Sequence, residues 1–583
     1  LIVNLLLRIN CISFGLIGEI MFLVLIETSG NQNFIFATNK LKENVGASEL
    51  TYRVGTQWLL EIVADLNNIP ELRDSQSLRQ NLLKNDTNPC IENSDKEIEI
   101  IVAASGKALL ITKTEAIAKE IITRITTKAL KEAPGIDVSG VWVEFDWKNP
   151  INEYIKEVYR EFEKVHSRLY SPSFRFLRLP ICAPCETSGL PASSVETNPE
   201  KKKIPVSAVS LAKAKNANDS LNRMQKLVNN LDFKFPENTN NLEKDFDNLQ
   251  WLAIVHADGN GLGQIFMNFE KYATDNRDYI NKMRRFSLAL DLCTEEAFKQ
   301  AITVFETKEK SRYKILPVVP LVLGGDDLTV VCDGKYALEF TREFLQAFEK
   351  ETQKPNLPDV GNIITEIAQK GLNSKGLSAC AGIAIIKPHF PFSVGYKLAE
   401  SLLKSAKKVK NKVKDNDNQD QTISCSALDF QIVYDSSGID LELIRDRLSL
   451  EEADNKTLLY KRPFVITPLE NLTQASRESQ TWANFYHWDK FKTKVDNISQ
   501  KKTSESEQGS FLPPNQSNRI RSALLRGKQA ADAEFKLIEH RYAKTKDLKE
   551  TPQSLFILIP DHEPDQPTYT TSFLDALEAV DFV

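Results

Sequence analysis

The chain has 583 residues, with 74 Lys and Arg against 79 Asp and Glu, a net charge of −5. Hydrophobic residues at 42% and charged residues at 26% are ordinary for folded domains, which excludes collagen-like and fully disordered classes. The length predicts about three or four domains, and the slightly acidic balance argues against a surface wholly given to nucleic acid, leaving room for local basic patches.

Eight cysteines are too sparse for a disulfide scaffold and fit a reducing, cytoplasmic setting. The apolar stretch Leu1–Glu27 is interrupted by Arg8 and Glu19, so it falls short of the roughly 18 uninterrupted residues of a membrane span. No small-residue cleavage site follows it, so neither a membrane segment nor a signal peptide is expected. Met21 is the only methionine before Met224. Residues 1–20 are therefore expected to be a non-native or disordered extension.

Residues 21–148 read as strand, helix, hairpin, helix, strand. FLVLIE (Phe22–Glu27) is a strand, and a polar patch ending Gly46-Ala47-Ser48 leads to a helical pattern over Leu50–Leu66. Glu97–Ala104 and Lys107–Lys113 flank the turn Ser105-Gly106. A helix over Glu115–Ala133 stops at Pro134-Gly135, and Val138–Trp147 is a strand. This is the ferredoxin-like βαββαβ order. Residues 149–248 form a polar linker carrying Cys182 and Cys185, the run Lys201–Lys203 and a helix near Ser220–Asn230.

Residues 249–435 repeat the order: strand Leu252–Asp258, a helical stretch to Phe305, a hairpin of Val318–Gly325 and Asp327–Asp333, helix Lys335–Thr352 and strand Leu377–Ile386. Helix Val394–Lys412 and strand Ala427–Tyr434 follow. Two units of one order predict an internal duplication. Residues 436–583 read as mainly helical, with a low-complexity loop over Ser499–Asn518 and helices over Arg519–Tyr542 and Leu574–Phe582. The expected class is α+β, with two ferredoxin-like domains, an intervening zinc-finger-like and helical segment, and a helical C-terminal domain.

The sharpest chemical signal is LVLGGDDLTVV, Leu321–Val331. Gly324 and Gly325 let the hairpin turn tightly and approach a ligand. Asp326 and Asp327 follow, and Asp258 ends the neighbouring strand in VHADGNGLG (Val255–Gly263). Adjacent strand residues point to opposite faces unless the turn twists them. Asp326 is therefore expected as the direct metal ligand, with Asp327 second-sphere or on a second metal. Three such acids repel one another unless a hard cation, Mg²⁺ or Mn²⁺, neutralises them. Gly259, Gly261 and Gly263 are expected to leave N–H groups free for phosphates at a helix start. A well-formed turn and a helix-capping Asp are the plainer reading of the same residues.

These segments, with LSACAGIAI (Leu377–Ile385) and AESLLKSAKKVK (Ala399–Lys410), resemble the second palm domain of the large polymerase-like subunit of type III, Cmr-type CRISPR effector complexes, a palm related to GGDEF nucleotide cyclases. FIFATNKLKENVGASEL (Phe34–Leu50) resembles the start of the family's first palm, and CAPCETSGLPAS (Cys182–Ser193) its zinc-binding stretch. The resemblance implies a cyclase that joins ATP into cyclic oligoadenylates when its complex, with other subunits and guide and target RNA, senses foreign RNA. It also implies a triphosphate contact for Lys407, in the matching pair Ala406-Lys407. Larger relatives carry an HD nuclease domain. This chain has six histidines and no His-Asp dipeptide, so that activity is expected to be missing. The first unit has Ala103-Ala104-Ser105-Gly106 where the second has GGDD, and reads as a non-catalytic partner.

Cys182 and Cys185 supply only half the ligands of a structural Zn²⁺ site, and an unmetallated loop pair is the plainer reading. The lysines around Lys404–Lys412 read as a solvated basic face, apart from Lys407. His256 shows no obvious general-base partner, and no G-x-S-x-G elbow supports hydrolase chemistry. Two other functions fit the same acids: a non-catalytic scaffold subunit of an RNA-guided complex, and a stand-alone nucleotidyl cyclase with a different product.

Overall fold

The structure, a computed structural model, describes residues 20–168, 176–197, 201–228, 234–236, 249–308, 315–418, 421–434, 440–452, 455–499, 512–539, 548–559 and 567–583. Residues 1–19 of the expected extension and residues 500–511 of the expected loop lie outside that set. The chain divides into two compact units: Leu1–Lys226 with Leu262–Leu292 and Lys354–Lys370, and Leu227–Gly261 with Cys293–Gln353 and Gly371–Val583.

The first unit holds strands β1 (Ile20–Ser29), β2 (Ile98–Ala104), β3 (Lys107–Thr112) and β4 (Asp137–Asp146), in the antiparallel order β2-β3-β1-β4. Its helices include α1 (Leu41–Gly55), α2 (Gln57–Asn67), α3 (Glu115–Glu132), α4 (Ile151–Arg168) and α5 (Ala208–Leu227). Thr114 caps α3 by accepting from Ile117 N, and the helix buries Ala118, Ile121, Ile125 and Ala129, one apolar stripe.

The expected helix over Leu50–Leu66 is two helices, and the polar patch before it lies inside α1. Asn44, Ser48, Glu49 and Thr51 are buried there. The helix forms because it packs on α5: a Cβ at Gly46 would lie 1.7 Å from the Lys213 carbonyl oxygen, and Arg53 donates to Asn216 and Asp219 at 2.7 and 2.8 Å. An interface built of polar pairs leaves no hydrophobic period to read.

The second unit carries β7 (Leu252–Gly259), β8 (Val318–Gly324), β9 (Asp327–Asp333), β10 (Ala379–Ile386), β11 (Ala427–Ile432) and β14 (Phe464–Val465), in the order β14-β11-β10-β7-β9-β8. Its part β10-β7-β9-β8 repeats the antiparallel order of the first sheet, and β11 adds in parallel to β10. Helices α7 (Gly334–Thr352) and α8 (Phe392–Lys407) pack on this sheet. The approach of α8 to β10 is close enough that a Cβ at Gly382 would sit 2.1 Å from the Ala399 carbonyl oxygen.

The C-terminal region carries strands as well as helices. It forms a second sheet, β12 (Ser449–Glu452), β13 (Asn455–Leu458), β15 (Ile557–Leu558) and β16 (Thr568–Thr570), in the order β12-β13-β16-β15. These strands are only two to four residues long, too short to show alternation. The expected helix Arg519–Tyr542 is α9 (Pro514–Leu524) and α10 (Lys528–Glu539), broken at Gly527 with φ 104°, and residues 540–542 lie outside the described set. Among the described residues, no helix is long and apolar enough to cross a membrane.

Candidate active site

The hairpin of β8 and β9 closes on the pair Gly324 and Asp327, which leaves Gly325-Asp326 as the turn. Gly325 has φ 61°, and nothing lies within 4 Å of where a Cβ would be. The backbone conformation, not lack of room, requires glycine. The turn is pinned from outside the motif: Thr294, buried on α6 (Asn276–Ala301), donates its Oγ1 to the Gly325 carbonyl at 2.6 Å.

From this turn Asp326 Oδ2 accepts from Gly259 N at 3.2 Å, beside Asp258. The pairing of Ala257 with Leu328 sets Asp258 against Asp327 in the next step of the ladder. Asp327 Oδ1 lies 3.4 Å from His256 Nδ1, which is 3.0 Å from Thr329 Oγ1. His256 and Asp258 share one face of β7, two residues apart. Asp326, in the turn, escapes strand alternation, so all three acids converge.

Burial, with Asp258 and Asp327 adjacent, pushes Asp326 up to about 8. Burial disfavours a charged His256, yet Asp327 and Asp258 hold its pKa above the ordinary value. Both effects mark a surplus of negative charge.

Lys407, the last residue of α8, places its ammonium against Asp258 Oδ2 and 3.3 Å from the Gly259 carbonyl oxygen. Contrary to the expectation of free N–H groups, Gly259 N is taken by Asp326, and Asn260 N donates to the Ser378 carbonyl at 2.9 Å. Asn260 is locked further by donating to Ser378 Oγ and the Cys425 carbonyl at 2.9 and 3.0 Å. Gly261 sits where a Cβ would press on Leu372 at 3.0 Å, whereas Gly263 faces open space. The helix that follows, Leu262–Met267, has only six residues.

Asp327 Oδ1 is buried and accepts no hydrogen bond. That oxygen, which has His256 Nδ1 3.4 Å away but no hydrogen bond, and the mutual repulsion of the acids fit a hard divalent cation. As the side chains stand, no three Asp, Glu, His or Cys groups among the described residues are spaced to grip a metal, and Lys407 lies against Asp258. Cys182 is exposed and Cys185 buried, its sulfur 3.4 Å from Thr187 Oγ1 and 3.6 Å from Ser210 Oγ. No third Cys or His joins the pair among the described residues.

One site residue escapes sequence reasoning: Thr294 lies in a long amphipathic helix with nothing to single it out. His256, expected to have no partner, lies beside Asp327, and strand period could have shown that it shares a face with Asp258.

Residues 251–416 match the family model of the Cas10/Cmr2 second palm domain. That segment is therefore similar to a Cas10/Cmr2 second palm. No curated protein sequence matches the chain. Its fold is similar to the crystal structure of Csm1 from T. onnurineus, with a TM-score of 0.50 and 12% identity over 99% of this chain and 71% of that one. A Csm1–Csm4 cassette in complex with cA4 aligns at a TM-score of 0.45 and 11% identity, over 97% of this chain and 69% of that one. An apo Csm1–Csm4 cassette aligns at 0.39 and 13%, over 70% of this chain, which spans 57% of that one. The hairpin with Gly324, Gly325, Asp326 and Asp327 lies in the matched segment.

Proposed function

We propose that the protein is a metal-dependent nucleotidyltransferase that joins ATP into cyclic oligoadenylates within an RNA-guided antiviral effector complex. The observation that carries this reading is the convergence of Asp258, Asp326 and Asp327 on a palm sheet, with a lysine beside them. A divalent cation held by these acids would activate a 3′-hydroxyl and offset charge on the departing pyrophosphate. The 3′-oxygen forms a bond to the α-phosphorus of the next ATP as the bond to pyrophosphate breaks. Asp326, the most buried acid, is the direct ligand, and Asp327 completes the site from the first position of β9. Lys407 is placed to leave Asp258 and neutralise phosphate when nucleotide enters. The first sheet, residues 21–148, acts as a non-catalytic partner palm.

The test is purified protein with ATP and Mn²⁺, alone and with its effector complex and target RNA, products being resolved by mass spectrometry. Cyclic oligoadenylate is expected with the wild type and none with Asp326→Ala/Asp327→Ala. Absence of product under every condition, with metal binding intact, would leave the scaffold reading. A guanine product or dinucleotide alone would favour a stand-alone cyclase.

A further inference from the structure

The C-terminal part of the second unit encloses a cavity of about 410 Å³ that the palm does not use. Its volume lies in the range of ordinary small-ligand pockets. Lys461 and Lys494 line it with only 7% and 6% of their surface exposed, and both bind one carboxylate, Glu550, at 3.0 and 2.6 Å. Ser572 also gives Glu550 its hydroxyl and its N–H, at 2.5 and 3.0 Å. The carboxylate is saturated, yet two buried ammonium groups share its single charge.

A third cation, Lys490, stands exposed on the same wall, with no acidic partner among the described residues. Lys549, by contrast, is paired with Glu539 at 2.5 Å. The opposing character is aromatic. Phe485, half-buried, lies 3.5 Å from Lys461 Nζ at its ring centre, and Phe464 and Phe491 stack at 4.3 Å behind. Burial, reinforced by Lys494 and Lys490, brings the Lys461 ammonium down to about 8 despite Glu550. A site so short of negative charge gains from an anion, and the half-buried Phe485 ring suits a flat partner.

We propose that this cavity binds a nucleotide, its phosphate on Lys461, Lys490 and Lys494 and its base against Phe485. The nucleotide is either free or the 5′-terminal residue of an RNA. The reading is independent of the palm chemistry.

The test is photolabelling of the full chain with 8-azido-AMP, followed by peptide mapping. Label is expected between Lys461 and Lys494, competed by AMP and not by inorganic phosphate at equal concentration. Lys490→Glu changes an exposed, unpaired residue, so the fold is retained, and labelling of those peptides should fall about tenfold. A short RNA with a 5′-phosphate competing better than AMP identifies a strand end, and AMP competing better identifies the free nucleotide. Label confined to the palm, equal labelling of Lys490→Glu, equal competition by inorganic phosphate, or equal competition by 5′-hydroxyl RNA overturns the proposal.

Discussion

Replacing Lys407 by Met separates two roles that a lysine beside a carboxylate cluster can play. In the structure its ammonium already neutralises Asp258, so a divalent cation must compete with it. Both partners are about one-third exposed, 30% and 33%, so the pair is screened and contributes roughly 0.5–1 kcal/mol. Removing the competitor should tighten Mn²⁺ binding, without nucleotide, by roughly twofold to fivefold. With ATP present the sign reverses, because the phosphate loses its cation. The KM for ATP should rise and turnover fall by about tenfold or more, as expected for losing a charge-assisted contact. Electron paramagnetic resonance of free Mn²⁺ reads the first quantity, and product formation the second. High salt should narrow the gap in metal affinity between wild type and variant. Unchanged or weaker Mn²⁺ binding by the nucleotide-free variant would refute the competition.

Gly382→Ala places a methyl 2.1 Å from the Ala399 carbonyl oxygen, so α8 must move off β10; a loss of roughly 1–3 kcal/mol or more is expected from thermal melts, with reduced turnover because Lys407 moves with α8. Thr294→Val leaves the Gly325 carbonyl without its donor and should cost about 1–3 kcal/mol in denaturant titrations, whereas Thr294→Ser restores most of it. Glu550→Gln strips the buried ammonium groups of their counter-charge, a loss of roughly 3–5 kcal/mol at neutral pH. The pH dependence has a definite sign. Lys494 and Lys461 outweigh burial and hold Glu550 below its ordinary 4.5, so its contribution is complete above that value and drains away as pH falls further. The gap between wild type and Glu550→Gln in thermal melts should therefore shrink steadily as pH falls below 4.5, and a constant gap would contradict the buried pair.

What was legible in the sequence follows from what side-chain period can encode. The hairpins at Ser105-Gly106 and Gly325-Asp326 and the order of both sheets were readable, because β2, β3, β8 and β9 are apolar runs bounded by turn residues. The convergence of Asp326 and Asp327 was expected only on condition that the turn twists, since ideal alternation sends them apart; the structure places Asp326 in the turn, after Gly325 with φ 61°. Helix α1 hid behind polar residues that pair with α5, and Gln300 with Glu351, at 2.6 Å, shows the same kind of unseen partner. Lys407 was picked out by resemblance for phosphate, and its contact with Asp258 depends on where α8 ends against β7.

The two sheets also show why one hairpin invites a cation and the other does not. In the first, Ala104 closes the turn on Lys107, and Glu27 of β1 faces Lys107 across the ladder. In the second, Gly324 closes on Asp327, with Asp258 of β7 facing it. Lys107 thus occupies the place of Asp327, and Glu27 that of Asp258. The Lys107 ammonium lies 3.4 Å from Glu27 and 4.8 Å from the centre of the Tyr159 ring. The charge is cancelled within the chain, and no divalent ion gains by entering. In the second sheet the same two places are both acidic, with Asp326 added between them and one lysine to share. Opposite charge at this register position, together with the added Asp326, therefore divides a self-neutralised hairpin from one with surplus negative charge.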